Sequence, residues 1–254
     1  MRVLITGAVE GLGRALCVHL LGNGHFVMAI DYNKAGLTAL DQIWGDQISS
    51  IEADLSDRAN IVDLLEKLKT EPPFDWVVLN AGISATGKFE DIPANAYQKL
   101  LLINTETPMI MASGLAGSNM INKGGSIAFI SSLSNATGYP GASVYCASKD
   151  AIAVYAKSIR PACTRLGINI LTVYPGPVRT KHAERYAPKG TDASKRMAPE
   201  VLAAHIITAL KGNNRKLYPG VVAKLIRVLG ILAPNTVSSL MRKIIYEKLD
   251  DTQF

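Results

Sequence analysis

The sequence predicts an α/β protein with a doubly wound parallel sheet of about seven strands, helices on both faces of the sheet and a single domain. Three observations lead to this prediction. Short apolar runs alternate with helix-length stretches along the 254-residue chain. These runs are rich in β-branched residues and do not alternate between apolar and polar positions, which is typical of strands buried on both faces. The connections are short, so right-handed crossovers between parallel strands are expected.

Seven apolar runs qualify as strands, and six further stretches qualify as helices. The strands are predicted at residues 3–6, 26–30, 50–53, 76–79, 126–131 and 169–173, with a weaker seventh at 216–218. The helices are predicted at residues 11–22, 34–43, 58–68, 95–118, 143–165 and 199–210. Strands and helices in repeated alternation indicate a parallel sheet. One polar stretch, residues 181–197, is long enough for a functional loop.

Composition narrows the class of protein. Hydrophobic residues make up 48% and charged residues 19% of the chain, which supplies a core and excludes a disordered chain. Cys17, Cys146 and Cys163 cannot all pair, and neither they nor the four scattered histidines have metal-ligand spacing. A reduced, cytoplasmic protein without a metal site is expected. We expect no signal peptide, and no apolar run reaches the roughly 18 residues of a membrane span.

The net charge of +6 is unevenly distributed along the chain. Residues 1–180 hold 14 Lys and Arg against 15 Asp and Glu, whereas residues 181–254 hold 13 against 6. A nucleic-acid partner is not expected, because most of the chain is close to neutral and no aromatic residues are interleaved with the cations. The basic region is either a solvated face or a surface for anionic substrates or lipid head groups.

The first chemical signal is the turn after the first strand, residues 6–13, with the sequence TGAVEGLG. Its glycines allow a tight turn and let the backbone approach a pyrophosphate. The helix that begins there offers free N–H groups and a partial positive charge to phosphate oxygens. Its place between a strand and a helix, at the start of the βαβ pattern, makes this a strong indication of a Rossmann-type nucleotide site.

Asp31 follows the second strand and indicates which nucleotide binds. A carboxylate there can accept hydrogen bonds from the adenosine ribose hydroxyls, and it repels a 2′-phosphate. Glu10 adds a second negative charge within the turn, and the nearest cation in this stretch is Lys34. The charge pattern favours NAD over NADP. Asp31 can also act as the N-cap of the helix that starts near Lys34.

The second chemical signal is Tyr145, with Lys149 four residues later. Residues four apart share a helix face, so the ammonium and the phenol are expected to point the same way. A tyrosine has a pKa near 10, and positive charge from a lysine and an oxidised nicotinamide ring would favour its phenolate. Ser132 lies thirteen residues earlier, at the end of a predicted strand, where doubly wound sheets bind ligands. Ser131 is the neighbouring alternative.

These motifs, in this order, resemble the single-domain branch of the short-chain dehydrogenase/reductase family. The residues that match its cofactor-contacting motifs are Gly7, Glu10, Gly11, Leu12, Gly13, Asp31, Asp54, Leu55, Asn80, Ala81, Gly82, Tyr145, Lys149, Pro175, Gly176, Val178 and Thr180. The residues that match its catalytic set are Asn104, Ser132, Tyr145 and Lys149. The resemblance covers residues 1–180, whereas residues 181–254 resemble the family only in general terms.

The resemblance implies the roles of the catalytic set. Tyr145 would exchange a proton with the alcohol or carbonyl oxygen, and Lys149 would lower the pKa of this tyrosine and bind the nicotinamide ribose. Ser132 would donate a hydrogen bond to the substrate oxygen. Asn104 would hold a water molecule that links Lys149 to solvent. The whole chain, residues 1–254, would form one domain, with a substrate lid and last strand at 181–220 and a helical extension at 221–254.

The leading hypothesis is an NAD(H)-dependent oxidoreductase that interconverts a secondary alcohol and a ketone. The alternatives are an NADP(H)-dependent carbonyl or ketoacyl reductase and a catalytically idle cofactor sensor on the same fold. An epimerase or dehydratase of nucleotide sugars would need a longer C-terminal region. The substrate is a small molecule that the sequence does not identify.

The resemblance also implies a homodimer or homotetramer built on the helices at 95–118 and 143–165. Beyond the lid, residues 221–232 are apolar except for Lys224 and Arg227, and a further helix is expected to start at Thr236. Its apolar stripe would contain Val237, Leu240, Met241, Ile244, Ile245 and Tyr246, with Arg242, Lys243 and Lys248 toward water. Both segments either pack on the domain or a subunit interface, or form an apolar substrate entrance that contacts anionic membranes.

Overall fold

The computed structural model describes residues 1–186 and 192–248. Its strands are β1 (Arg2–Thr6), β2 (Phe26–Asp31), β3 (Ile48–Glu52), β4 (Phe74–Leu79), β5 (Ile121–Ile130), β6 (Asn169–Val173) and β7 (Lys216–Leu217). Within the described residues they form one parallel sheet in the order β3-β2-β1-β4-β5-β6-β7. The strand order reverses between β1 and β4, and ligands of such sheets bind outside the strand carboxyl ends at this switch point. The predicted fold class is confirmed.

The helices cover both faces of this sheet. They are α1 (Gly11–Leu21), α2 (Lys34–Trp44), α3 (Arg58–Leu68), α4 (Ala94–Leu101), α5 (Thr107–Gly117), α6 (Ser134–Thr137), α7 (Ser143–Arg165), α8 (Lys181–Arg185), α9 (Pro199–Lys211), α10 (Gly220–Leu232) and α11 (Pro234–Ile244). Side chains of β1 alternate between two buried clusters. Ile5 packs with residues of α1, α2 and α9, whereas Leu4 packs with residues of α3, α5 and α7. Because both sheet faces are covered, the strands carry no polar face.

Most bounds lie within two residues of the predicted ones, and three differences have identifiable reasons. β5 begins at Ile121, five residues early, because Ile121 pairs with Phe74 before an exposed stretch at which the register shifts. The helix predicted at 95–118 is divided by a π-helical turn at Leu102–Glu106. The last helix starts at Pro234 and not at Thr236, because proline is tolerated in the first helical turn.

The C-terminal segments form two helices joined at a sharp bend. Arg242 and Lys243 are exposed, as predicted, but so is most of Leu240. The side chains of Ile244 and Lys248 lie outside the described part of the structure. Within the described residues no single helix has both the length and the hydropathy of a membrane span, and only α10 taken together with Pro234–Lys243, bent by 118°, meets those criteria.

Candidate active site

The turn between β1 and α1 is shaped for the close approach of an anion. Gly7 has a φ of +66°, and a Cβ at Gly13 would lie 1.8 Å from the Gly7 carbonyl oxygen. α1 starts at Gly11, and Glu10 at its N-cap makes no side-chain capping bond. The side chain of Leu12 is buried in the core. The first N–H groups of the helix are therefore free of side-chain caps and can bind phosphate oxygens.

Asn80 and Ala81, at the end of β4, hold this turn against the sheet. The Asn80 Nδ2 donates to the carbonyl oxygens of Thr6 and Gly7, at 3.0 and 3.1 Å. The N–H groups of Asn80 and Ala81 both donate to the Thr6 Oγ1, each at 3.0 Å. These two residues therefore position the phosphate turn through the backbone of β1.

Asp31 lies at the end of β2 and faces the same turn. Its Oδ2 accepts the Val9 N–H, and its Oδ1 accepts the Asn33 N–H, both at 3.0 Å. Asn33, not Asp31, caps α2, because its side chain reaches the Gly36 N–H at 3.0 Å. Each carboxylate oxygen of Asp31 retains a lone pair for a further donor. Two fixed oxygens at this point can bind a pair of neighbouring ribose hydroxyls.

A groove of about 640 Å³ opens outside the ends of β2 and β3, and Tyr32, Ala53 and Asp54 form part of its lining. Asp54 Oδ1 accepts the N–H and the hydroxyl of Ser56, at 2.8 and 2.7 Å. These hydrogen bonds hold the pKa of the Asp54 carboxyl below its usual range. The Leu55 side chain is buried. Because the groove adjoins the strand that ends in Asp31, it has the position needed for the base of a bound nucleotide.

Tyr145 and Lys149 lie one turn apart near the start of α7. The Lys149 Nζ is 5.9 Å from the centroid of the Tyr145 ring and donates to the Ile130 carbonyl oxygen at 2.9 Å. Burial lowers the pKa of Lys149 to about 8 and raises the pKa of Tyr145 to about 12. At pH 7 the lysine is mostly protonated, and its charge opposes the effect of burial on the phenol. During an alkaline titration, Lys149 loses that charge before Tyr145 ionises.

The structure brings Ser132, and not Ser131, next to the tyrosine. The Ser132 hydroxyl lies near the Tyr145 phenol and acts to lower the pKa of that phenol. Ser132 Oγ also accepts the Ser134 N–H at 3.2 Å. By contrast, Ser131 Oγ donates to the Lys149 carbonyl oxygen at 2.8 Å. Ser131 therefore joins β5 to α7, whereas Ser132 can contact a substrate oxygen.

Asn104 lies in the π-helical turn between α4 and α5 and is almost fully buried. Its Oδ1 accepts the Ile83 N–H at 2.8 Å, and its Nδ2 donates to the Ile83 carbonyl at 2.9 Å and to Ser148 Oγ at 3.0 Å. A Cβ at Gly82 would lie 3.0 Å from Asn104 Oδ1 and 3.1 Å from Lys149 Nζ. Glycine at position 82 therefore lets the amide and the ammonium approach the same point.

Ser148 belongs to this network, although no sequence motif selects it. It is fully buried, and its Oγ donates to the Tyr145 carbonyl at 2.7 Å while it accepts from Asn104. The available signal was a hydroxyl on the inward side of the helix, directly before Lys149. A buried hydroxyl requires a partner, but the sequence does not show which one.

The segment after β6 crosses the mouth of the phosphate turn. The Pro175 carbonyl oxygen accepts a hydrogen bond from the Leu133 N–H at 2.9 Å, and Gly176 faces the Leu133 side chain. A Cβ at Gly11 would lie 3.0 Å from the Thr180 Cγ2. This segment therefore joins the Ser132 turn to the N-terminus of α1, as required of a strap between substrate and cofactor.

The predicted lid begins directly after this strap. Val178 forms an isolated bridge with Met197, and the Arg179 N–H donates to the Met197 carbonyl at 2.9 Å. These bonds close the base of the segment that contains α8. Residues 187–191 of the predicted lid lie outside the described residues.

This parallel sheet has a phosphate turn at its switch point and, beside that turn, a partly buried tyrosine one helical turn from a buried lysine. That is the architecture of an oxidoreductase that uses a nicotinamide dinucleotide. The model of the short chain dehydrogenase family matches residues 1–190. The chain belongs to that family.

Individual relatives agree with this assignment. A 3-oxoacyl-[acyl-carrier-protein] reductase from Haemophilus influenzae is 28% identical over 182 residues, which cover 71% of this chain and 75% of the relative. A short-chain dehydrogenase from Sphingobium yanoikuyae, solved in complex with NADPH, aligns with a TM-score of 0.79 and 23% identity over 91% of this chain and 92% of its own. The bulky-bulky ketone specific alcohol dehydrogenase from Comamonas testosteroni aligns with a TM-score of 0.77 and 21% identity, covering 95% and 94%. These structures share the fold.

Proposed function

We propose that this protein is an NAD(H)-dependent oxidoreductase that interconverts a secondary alcohol and a ketone. One observation carries the proposal. Ser132 and Lys149 are buried, and both lie beside the partly buried phenol of Tyr145 at the carboxyl end of β5. An idle cofactor-binding protein has no need of a phenol with a hydroxyl and an ammonium beside it.

Tyr145 is the proton carrier in this proposal. Its phenol donates a proton to the carbonyl oxygen during reduction, and its phenolate accepts the proton of the alcohol during oxidation. Ser132 donates a hydrogen bond to the same substrate oxygen and stabilises the charge that develops there. The nicotinamide, when bound, gives or takes the hydride.

Lys149 supplies positive charge to the phenol and a donor to the nicotinamide ribose. Asn104 completes the proton path by holding a water molecule near the lysine, and two observations support this role. Its side chain reaches the same point beside Gly82 as the Lys149 Nζ, and the π-helical turn departs from the regular hydrogen-bond series of an α-helix.

The preference for NAD follows from charge. Asp31 has both oxygens fixed beside the turn, where a 2′-phosphate would meet a carboxylate. The nearest cation in this stretch, Lys34, pairs with Glu52 at 3.7 Å. An opposing observation is the likeness to a ketoacyl reductase and to a fold solved with NADPH, which favours an NADPH-dependent carbonyl reductase as the second candidate.

Initial rates decide between the two candidates. Purified protein is assayed against a panel of secondary alcohols with NAD and NADP, and against the matching ketones with NADH and NADPH. We expect a higher kcat/KM with NAD and NADH. A consistent preference for the phosphorylated cofactors would refute the argument from Asp31, and a lack of turnover with every pair would refute the proposed activity.

The proposal includes an oligomeric state and a cellular compartment. Tyr97, Leu101 and Val154 are exposed apolar side chains on α4 and α7, and pairing of these helices across a two-fold axis would cover them in a homodimer or homotetramer. The three cysteines are free, which favours a reducing compartment such as the cytoplasm.

A further inference from the structure

Helix α10 has the reverse of the usual burial pattern. Its buried positions are small, Ala223 and Gly230, whereas its large apolar side chains face outward. The exposed ones are Val221, Val222, Leu225, Val228, Leu229, Ile231 and Leu232, which are between 43% and 81% exposed. Single exposed apolar residues are ordinary, but a contiguous apolar patch on a surface helix marks a binding surface. We call these seven side chains the α10 face.

The inner side of α10 is fixed to the catalytic region. A Cβ at Gly230 would lie 2.0 Å from the Ala136 carbonyl oxygen, so α10 packs directly on α6. α6 follows the Ser132 turn, whose hydroxyl accepts the Ser134 N–H. The Arg227 guanidinium lies 4.6 Å from the centre of the Tyr218 ring and also fixes α10 in place. The α10 face is therefore held beside the turn that carries Ser132.

Charge indicates what covers this face. Between Glu200 and Glu247 the sequence has no Asp or Glu, yet it has seven Lys and Arg residues. They are Lys211, Arg215, Lys216, Lys224, Arg227, Arg242 and Lys243, and all are exposed; of these, Arg242 pairs with Glu247 at 3.5 Å. Lys224 stands among the apolar side chains of the α10 face itself. Helix α10 itself carries Lys224 and Arg227 and no carboxylate, so its apolar face complements a surface that is apolar inside and anionic at its rim.

We propose that the α10 face binds in the interface of an anionic lipid bilayer, with α10 parallel to the membrane plane. The apolar side chains enter the region below the head groups, and Lys224 extends its ammonium to the lipid phosphates. A second copy of this chain fits the face less well. A two-fold contact would place Lys224 against the same ammonium of a second copy, and α10 has no carboxylate to neutralise it.

The position of the face identifies the class of substrate, and this step rests on the proposed function. Because α10 packs on the turn that follows Ser132, docking brings the substrate entrance to the bilayer surface. A substrate that enters from there is a lipophilic alcohol or ketone that partitions into membranes. Docking at a bilayer would not improve the access of small water-soluble alcohols to the site.

Sedimentation with vesicles tests the docking surface. Full-length protein is mixed with phosphatidylcholine vesicles, with and without phosphatidylglycerol, at low and high salt. We expect binding to the anionic vesicles at low salt and at least about fivefold weaker binding at high salt or without the anionic lipid. Leu225→Ser combined with Ile231→Ser, and separately Lys224→Glu, should each weaken binding by at least about fivefold.

Matched exposed positions elsewhere serve as controls. Ile43→Ser on α2 and Lys123→Glu before the buried part of β5 make the same changes away from the α10 face and should bind like the wild type. Failure of the wild type to bind anionic vesicles, or equal binding by the α10 variants, would overturn the docking surface. A fall in mass by light scattering in Leu225→Ser/Ile231→Ser, without vesicle binding by the wild type, would assign the face to a second copy.

Activity is read separately from binding. We expect vesicles to increase turnover of a long-chain secondary alcohol in the wild type but not in Lys224→Glu. If the protein binds vesicles but oxidises only short, water-soluble alcohols, the proposed substrate class is wrong and the proposed docking surface stands. A protein that binds vesicles and shows no oxidoreductase activity would refute the proposed function alone.

Discussion

Replacing Lys149 with methionine should make the stability difference between variant and wild type depend strongly on pH. The ordinary lysine pKa of 10.5 falls to about 8 in the folded protein. Because the folded pKa is the lower one, the charged lysine disfavours folding below pH 8, and this penalty disappears as pH rises from 8 to 10.5. The two pKa values give a penalty of about 3 kcal/mol at pH 7 and about 1 kcal/mol at pH 10.

The Lys149→Met variant lacks this titration. It also leaves the Ile130 carbonyl without the donor at 2.9 Å, a loss of about 1–3 kcal/mol that does not depend on pH. The free energy of unfolding of the wild type, measured relative to the variant, should therefore rise by about 2–3 kcal/mol between pH 7 and pH 10. This range ends below the pKa of Tyr145, which is about 12.

Denaturant unfolding of both proteins at several pH values measures this difference. Lys157→Met is the control, because Lys157 lies on the same helix but is exposed. We expect no comparable change with pH for the control. A constant difference between wild type and Lys149→Met from pH 7 to pH 10 would show that the ammonium is well solvated in the fold, and the reasoning from burial would then be wrong.

Four further predictions concern the site and the assembly. Tyr145→Phe should retain NAD binding by fluorescence titration but lose about 10²–10⁴-fold in rate; turnover within tenfold of the wild type would remove Tyr145 from the mechanism. Asp31→Ala with Tyr32→Arg should shift the ratio of kcat/KM values toward NADP, and an unchanged ratio would contradict the charge argument. Gly82→Ala should lower kcat at least about tenfold, because the added methyl displaces the two polar groups 3.0 and 3.1 Å away; wild-type kcat would show that these groups tolerate movement. We expect light scattering to give at least a dimeric mass for the wild type and a lower mass for Val154→Glu. An unchanged mass in Val154→Glu would show that the interface lies elsewhere.

The fold could be predicted because the signals that determine it are local. Apolar runs without alternation identify buried parallel strands, and the structure places Asn169–Val173 as a strand with the predicted bounds. The short helices α6 and α8 were not predicted, because four or five residues do not show a helical period. The beginning of β5 was missed because Ile121, which pairs with Phe74, is separated from the apolar run by an exposed polar stretch that does not look like part of a strand.

Site residues were predictable to the extent that spacing determines their geometry. Tyr145 and Lys149 share a helix face through their spacing alone, and Asp31 reaches the phosphate turn because β1 and β2 are adjacent. The division of roles between Ser131 and Ser132 required the structure, since it depends on the direction of two neighbouring side chains at a strand end. The outward-facing residues of α10 also required it, because an apolar helix with two cations is equally compatible with a buried position.

Lys149 alone cannot make Tyr145 a base at neutral pH. With an effective dielectric constant of about 20, a unit charge 5.9 Å away contributes about 3 kcal/mol, or roughly 2 pH units. This attraction opposes the effect of burial, which raises the pKa of Tyr145 to about 12, but it is lost as Lys149 deprotonates near pH 8. The phenol is therefore the form present at pH 7, which suits proton donation to a ketone. Alcohol oxidation needs additional positive charge, which an oxidised nicotinamide ring provides, so its rate should rise with pH while the rate of ketone reduction does not.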